Sequence, residues 1–407
     1  MSTSRKTRHR GNNEGSIYRR KEDGLWVAAI SLGYDENGKL RRRVIYGRTK
    51  REVQQKMSEL MDAHRLGRNI EVKNISVREH FEGWLTEKAR AVQPNTLSKY
   101  ENHVNNHIIP ALGRVKLTDL NYTHINQFFE DLEKKTRPDG TQRLGPTTRA
   151  DIARVLSMGL NDAVAKGLIS KNPAHLVEQP QENEEEPRFM TDDEWTRWVD
   201  AADGERLREL YIVGVHTGLR PSELLGLPWT NVDLERRQIK VAQALHEDGG
   251  RIWIGKLKTK YSYRTVSIGN ECIAALKRQR KRQLEDRLRV GDKWQRPDVE
   301  RPYSNDLVFS TDTGGWLRRS TIYKYDLARV RERSGLHDVG LHTLRHTHAA
   351  ILIHMGARPL EIRDRLGHKD VAFTLQRYGQ LFPDYDERCA QMMDEFEEQR
   401  LRGVSAL

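Results

Sequence analysis

The chain has 407 residues, 36% of them hydrophobic, 31% charged and 7% aromatic, with a formal net charge of +12, a pI near 9.6 and a mean hydropathy of -0.79. This length suggests roughly two to four domains, the basic balance favours a polyanionic partner, and no apolar run approaches the ~18 residues of a membrane span. Two cysteines, Cys272 and Cys389, suit neither a disulfide framework nor a zinc site, and imply reduced, cytoplasmic surroundings.

Most of the excess charge sits at the start, where residues 1–56 hold 15 Lys/Arg against 6 Asp/Glu. Residues 1–11 read as a basic arm. Strand character follows at 16–18, 25–32 and 41–46, separated by turn signals at Asp23-Gly24 and Asp35-Glu36-Asn37-Gly38, and then a helical pattern at 49–66. Three strands and a helix rich in basic residues, Arg19, Arg20, Lys21, Arg41, Arg42 and Arg43 among them, can lay a sheet against a DNA groove. The plainer alternative is a small solvated domain. From 77 to 176 the chain reads as mostly helical, with helices expected at 77–91, 95–107, 123–134 and 147–166, and with Asn95 and Thr147 as N-caps. Gly113, Pro138-Asp139-Gly140 and Gly167 punctuate them. The acidic stretch 178–187, framed by prolines, reads as a linker. These signals divide the chain into a basic N-terminal domain (1–65), a helical domain (75–178), a linker (179–187), a larger domain (188–395) and a tail (396–407). In the larger domain Thr191-Asp192-Asp193-Glu194 opens a helix. Helices also fit 207–217 and 222–225 and strands fit 238–242, 251–254 and 264–268, before helices return through Met393. The expected fold is multidomain and mainly α with small antiparallel sheets: a three-stranded sheet plus helix, a helical domain, and an α+β domain.

Chemistry-bearing residues occur in separated segments of that last domain. In THTGLRPSELLGL, Thr217 and Gly218 lead into Arg220 at a helix start, where backbone N–H groups also favour a phosphate and a planar, permanently charged fork suits its oxygens. In KLKTKYSYRTVSI, Lys256, Lys258 and Lys260 alternate, which on a strand puts them on one face. A mobile ammonium there can protonate a departing oxygen, or simply guard an edge strand. In HTLRHTHAA, His342 and Arg345 share one helix face, while His346 and His348 read as structural. No carboxylate or cysteine joins them at metal-ligand spacing. In LGHKDVAFTLQRYGQL, His368 follows Gly367, and Tyr378 falls near the end of an apolar-periodic helix.

Any of these segments alone is weak, but in this order and spacing they resemble the catalytic domain of tyrosine recombinases, the family of phage integrases and chromosome-dimer resolvases. The resemblance spans nearly all of 188–385. The helical region resembles the family's core-binding domain by position and length, and GSIYRRKEDGLWVAAISLGYDENGKLRRRVIYGRTKREV looks like the arm-binding domain of phage and mobile-element integrases.

The resemblance implies site-specific cleavage and rejoining of DNA, integrating or excising a phage or mobile element. Tyr378 would attack phosphorus to give a 3′-phosphotyrosyl bond, and Arg220 and Arg345 would hold the nonbridging oxygens in place of a metal. His342 would take or return the tyrosine proton, Lys258 would protonate the leaving oxygen with Lys256 or Lys260 as fallback, and His368 would bond the phosphate. Glu223 would orient Arg220 or His342. No cofactor and no ATP are called for, because the covalent link conserves the bond energy. Implied partners are double-stranded core and arm attachment sites, a homotetramer on DNA with residues 386–400 docking on a neighbour, and an accessory DNA-bending or directionality protein. A type IB topoisomerase shares the chemistry without strand exchange, and a DNA-binding protein on the same scaffold would lack one of these residues.

Overall fold

The computed structural model describes residues 16–34, 40–65, 75–134, 136, 143–181, 186–299, 302–382 and 385–402. The basic arm at 1–11, the turn at 35–38, the punctuating residues 138–140 and part of the acidic linker lie outside that set, as does the side chain of Arg41. The chain divides into two compact units, residues 1–183 and 184–407.

The first unit opens with an antiparallel sheet of β1 (Ser16–Arg19), β2 (Trp26–Tyr34) and β3 (Leu40–Gly47), in that order. The β1–β2 turn closes because Asp23 pairs with Arg20 and accepts the Leu25 N–H at 3.2 Å, while Gly24 takes the left-handed conformation at φ 71°. Helix α1 (Lys50–Arg65) covers the face that carries Trp26, Ala28 and Ile30. Lys50 lies over the Trp26 ring, and a Cβ on Gly47 would come within 2.6 Å of Val53. The register puts Tyr18 and Tyr46 opposite Val27, with Arg42 and Val44 on that same second face. There Tyr18, Arg42, Val44 and Tyr46 are all exposed.

Next come α2 (Val77–Lys88), α3 (Pro94–His103), a π turn at Val104–Ile108, α4 (Ile109–Leu112), α5 (Tyr122–Lys134) and α6 (Pro146–Ala165). Ser76 and Glu79 cap α2 reciprocally. The expected caps Asn95 and Thr147 are displaced: Pro94 and Pro146 occupy the first helical turn, so Gln93 and Gly145 are the caps. Proline lacks the N–H that the first turn leaves unpaired, and its fixed φ suits that position. Apolar residues at helical spacing (Phe81, Trp84, Ile108, Ile125, Phe128, Ile152, Leu156, Leu160) form the core.

The second unit starts with α7 (Asp192–Ala201), opened by the expected Thr191–Glu194 capping box, then α8 (Arg208–Thr217) and α9 (Pro221–Leu225). Strands β4 (Val232–Asp233), β5 (Gln238–Val241) and β8 (Arg264–Ser267) form one antiparallel sheet, and β6 (Ala244–Asp248) with β7 (Arg251–Gly255) a hairpin. Helix α10 (Asn270–Val290), α11 (Arg319–Thr321), a π turn at Ile322–Asp326, α12 (Leu327–Ser334), α13 (Leu341–His354), α14 (Pro359–Leu366), α15 (Val371–Tyr378) and α16 (Tyr385–Leu401) complete it. Helix α8 packs against both α10 and α13 within the main core. A separate apolar cluster of Ala349, Ile353, Ile362, Leu366 and Tyr378 joins α13, α14 and α15. No helix among the described residues is long and apolar enough to cross a membrane, and both cysteines are free thiols.

The lysine segment corrects an expectation. Strand β7 ends at Gly255, so Lys256, Lys258 and Lys260 do not alternate on a strand. Thr259 and Ser262 close a 3-10 turn instead, through Ser262 N–H donating to the Thr259 carbonyl at 3.1 Å and a 3.1 Å contact between their hydroxyls. Local hydroxyl bonding of this kind competes with a strand ladder.

Within the helical core, a Cβ on Gly159 would stand 2.3 Å from the Phe81 ring. We expect Gly159→Ala to cost about 1–3 kcal/mol by overpacking, read as a lower urea midpoint, and Phe81→Leu to recover part of that loss in the double variant. Strict additivity of the two changes would contradict the contact.

Candidate active site

The sequence segments meet through backbone carbonyls. Two of the helices end in left-handed glycines, Gly218 after α8 at φ 63° and Gly367 after α14 at φ 65°. Side chains rarely adopt that conformation. A Cβ would also strike His348 at 2.5 Å from Gly218, and the Tyr261 carbonyl at 2.8 Å from Gly367. These caps aim oxygens at the arginines. Arg345, on α13 and 2% exposed, donates to the carbonyls of Gly218 and Leu366, both at 2.7 Å. Arg220, the N-cap of α9, donates to the Gly367 carbonyl at 3.0 Å, to Glu223 at 2.8 Å and to the Ser262 hydroxyl at 3.3 Å.

Glu223 is 3% exposed and also accepts from Arg264 at 3.0 Å. Arg264 donates further to the carbonyls of Arg365 and Ser262. Arg365 in turn donates to Nε2 of His348 at 2.8 Å, and Nδ1 of His348 faces the Val215 carbonyl at 2.6 Å. Among the described residues, Glu223 is the only carboxylate paired with Arg220, Arg264, Arg345 or Arg365. Burial works to raise the Glu223 pKa, but Arg264, Arg220 and Arg345 outweigh it and hold the carboxyl below its usual range. Burial, followed by Arg220, draws Arg345 down to about 9, so it stays charged at neutral pH.

Tyr378 ends α15 and is 1% exposed. Its hydroxyl lies 2.8 Å from Nδ1 of His346, not on His342. His342 and His346 sit one helical turn apart with their rings edge to face, centroids 4.8 Å apart. Burial raises the Tyr378 pKa against the pull of Arg345, Arg377 and Arg220, so the hydroxyl keeps its proton. Desolvation depresses the histidines, followed by Arg345 at His342 and His368 and by the neighbouring His342 at His346. His342, though an exposed residue, falls to about 4, and His346 and His368 fall to about 3. His368 sets Nδ1 2.8 Å from the Thr374 hydroxyl, leaving Nε2 without a hydrogen bond among the described residues. Lys258 is exposed in the loop after β7, one residue before Thr259, whose hydroxyl reaches Arg220 through Ser262.

The sequence-selected Arg220, Glu223, Arg345 and Tyr378 are thus drawn into one network of bonds and fields, with His342 and His368 beside it. Lys258 is tied to it only by the loop it stands on. Reading the sequence missed Arg264 and treated His346 as structural. Arg264 could have been found: it shares the inward face of β8 with the buried Val266, and an inward arginine demands a partner. No group of metal-ligating residues occurs among the described residues. The basic residues selected near the N-terminus belong to the first unit. Arg42 lies on the exposed sheet face, Arg43 and Arg19 follow the register of the helix-covered face, Arg20 is tied to Asp23, and Lys21 is exposed in the turn.

Residues 188–384 match the model of the Phage integrase family, and residues 76–132 match the phage integrase N-terminal SAM-like domain. The chain is 30% identical to a "Tyrosine recombinase XerC-like" of Caldanaerobacter subterraneus, covering 90% of this chain and 95% of that one. It is 24% identical to the ICEBs1 integrase of Bacillus subtilis, over 92% and 98% of the two chains. Among solved structures, the Tn1549 transposon integrase with circular intermediate DNA aligns with a TM-score of 0.65 at 19% identity, covering 79% of this chain and 99% of that one. The lambda integrase tetramer on a Holliday junction aligns at 0.55 and 18% identity, over 93% and 97%.

Two outcomes test the site's electrostatics. Glu223→Gln leaves two guanidiniums without their carboxylate and should destabilise the second unit by about 3–5 kcal/mol, seen as a lower urea midpoint. The folded-state pKa values of His342, His346, His348 and His368 lie below the ordinary 6.5. Below pH ~6.5 the unfolded chain therefore binds more protons, so their contribution is complete above that pH and lost as pH falls toward about 3. Stability should decline across this window, and a flat profile would contradict the assignment.

Proposed function

The chain belongs to the phage integrase family, the tyrosine recombinases, and on that basis we propose that Tyr378 is its nucleophile and the Arg220–Arg345 pair its phosphate clamp. The enzyme is a site-specific recombinase of the integrase type, cleaving and rejoining DNA. One observation carries the assignment of residues: a buried, protonated tyrosine stands in the field of arginines that share a single carboxylate. Such a site lacks negative charge, and a phosphodiester supplies it.

In this reading the guanidiniums grip the two nonbridging oxygens and stabilise the charge that grows on them in the transition state. Their donors are already organised by Gly218, Leu366 and Gly367, so little reorganisation accompanies binding. Tyr378 Oη bonds to phosphorus, the bond to the 5′ oxygen breaks, and Lys258 from its exposed loop protonates that oxygen. His368 offers Nε2 to the phosphate. Glu223 orients Arg220 through two contacts, one from the side chain and one from the backbone N–H at 3.0 Å.

DNA attachment sites are the partner, and the protein works on them as a homotetramer, a reading supported by the lambda integrase tetramer bound to a Holliday junction. Residues 1–65 form the arm-type domain, whose exposed face of Tyr18, Arg42, Val44 and Tyr46 meets secondary sites. Residues 75–178 grip the core site. Helix α16, with Met392, Met393 and Leu401 exposed, docks on a neighbouring protomer. An accessory DNA-bending or directionality protein acts through the arm domain. The enzyme acts inside a prokaryotic cell.

A nicked duplex carrying the core site traps the covalent intermediate. Tyr378→Phe should abolish the denaturant-resistant adduct, and Arg220→Ala or Arg345→Ala should slow it about 10²–10⁴-fold. Lys258→Ala should be slow on ordinary DNA but regain its rate when the 5′ oxygen is replaced by sulfur, which leaves without a proton. Adduct formation by Tyr378→Phe would overturn the nucleophile assignment. Arg42→Glu should weaken arm-site binding while core-site cleavage survives, and loss of both would contradict the division of labour.

A further inference from the structure

We propose that His346, not His342, is the proton acceptor for the Tyr378 hydroxyl. The inference rests on Tyr378 being the nucleophile and adds the group that activates it.

The two side chains form a closed pair. Nδ1 of His346 is 2.8 Å from the Tyr378 oxygen, both residues are buried, and their ring centroids are 5.7 Å apart. Among the described residues no other hydrogen bond reaches that hydroxyl. With the hydroxyl donating to the Nδ1 lone pair, the neutral ring carries its hydrogen on Nε2. The site enforces neutrality: His342 and Arg345 flank His346 on α13, Arg377 and Tyr378 face it from α15, and His368 faces it from the turn after α14. With the guanidiniums of Arg345 and Arg377 close by, a neutral acceptor is the form that can stay buried. Geometry places His342 differently, with its ring against His346 and partly in solvent.

Arrival of a phosphodiester changes the balance. Its negative charge beside Arg345 offsets the repulsion that this guanidinium exerts on an imidazolium at His346, and His346 becomes a competent base only when the substrate is in place. As the bond from Tyr378 Oη to phosphorus forms, the hydroxyl proton passes to Nδ1. The bond to the 5′ oxygen breaks with its electron pair, and that oxygen takes a proton from a separate donor. In the resealing step the imidazolium returns its proton to the departing phenolate. The base is thereby coupled to occupancy, which keeps the nucleophile silent in free protein.

The test measures adduct formation on the nicked duplex for His346→Ala, His346→Asn, His342→Ala and Tyr378→Phe, with DNA affinity measured alongside. His346→Ala should be slower by about 100-fold at unchanged affinity, and free imidazole should restore about tenfold or more by occupying the vacated space. His346→Asn retains a polar atom near the Nδ1 position but cannot take the proton, so it should remain slow, and this variant decides the matter if the alanine variant fails to fold. His342→Ala should be milder than His346→Ala. A near-normal rate in His346→Ala, full activity in His346→Asn, or no imidazole rescue of a folded, DNA-binding His346→Ala would overturn the proposal. Tyr378→Phe separates the two failures: adduct lost there alongside a normal His346→Ala removes only this inference, whereas adduct persisting there removes the nucleophile assignment as well.

Discussion

A single buried carboxylate sets the terms for the whole catalytic unit. Glu223 bonds Arg220 and Arg264 and lies in the field of Arg345, and no second carboxylate balances these guanidiniums among the described residues. Buried charge of one sign is costly unless every donor is satisfied. The fold meets that demand with peptide oxygens from Gly218, Gly367, Leu366, Arg365 and Ser262. Carbonyl dipoles satisfy hydrogen bonds without cancelling charge. What remains is a cluster of guanidiniums that outnumber their one carboxylate. This explains why left-handed glycines end α8 and α14: the chain must turn sharply there to present its oxygens without a side chain in the way.

The same excess charge governs the neighbouring groups. Histidines beside it stay neutral, and the buried tyrosine stays protonated despite nearby cations. Tyr378 is also a core residue, packed with Ala349, Ile353, Ile362 and Leu366. Its position is therefore tied to the packing of α13, α14 and α15. Tyr323 extends this support by accepting the Leu341 N–H at 3.1 Å, anchoring the start of the helix that carries His342, Arg345 and His346.

Much of this arrangement was legible in the sequence because local periodicity and capping encode it. The i, i+3 spacing of His342 and Arg345, the Thr191–Glu194 box and the placement of Tyr378 at a helix end are short-range features. Contacts between distant segments were not legible. Arg264 and Glu223 are 41 residues apart, and Tyr378 and His346 are 32 apart, so no periodicity links them. The alternating lysines misled for a related reason: alternation at 256, 258 and 260 matches a strand, but the hydroxyls of Thr259 and Ser262 form a turn that the pattern of charge does not register. Asn95 and Thr147 were attractive caps by residue type, yet the proline before each had already fixed the helix start.

The central claim, that the guanidinium socket exists to hold one scissile phosphate, is tested most directly by removing that phosphate's charge. Binding of Tyr378→Phe protein should be compared on a duplex with a neutral methylphosphonate at the scissile position and on one with it a few nucleotides away. We expect affinity to fall about tenfold or more for the scissile substitution, the scale of a lost pair of charge-assisted bonds, and much less for the displaced one. Equal affinities for the two duplexes would contradict the account.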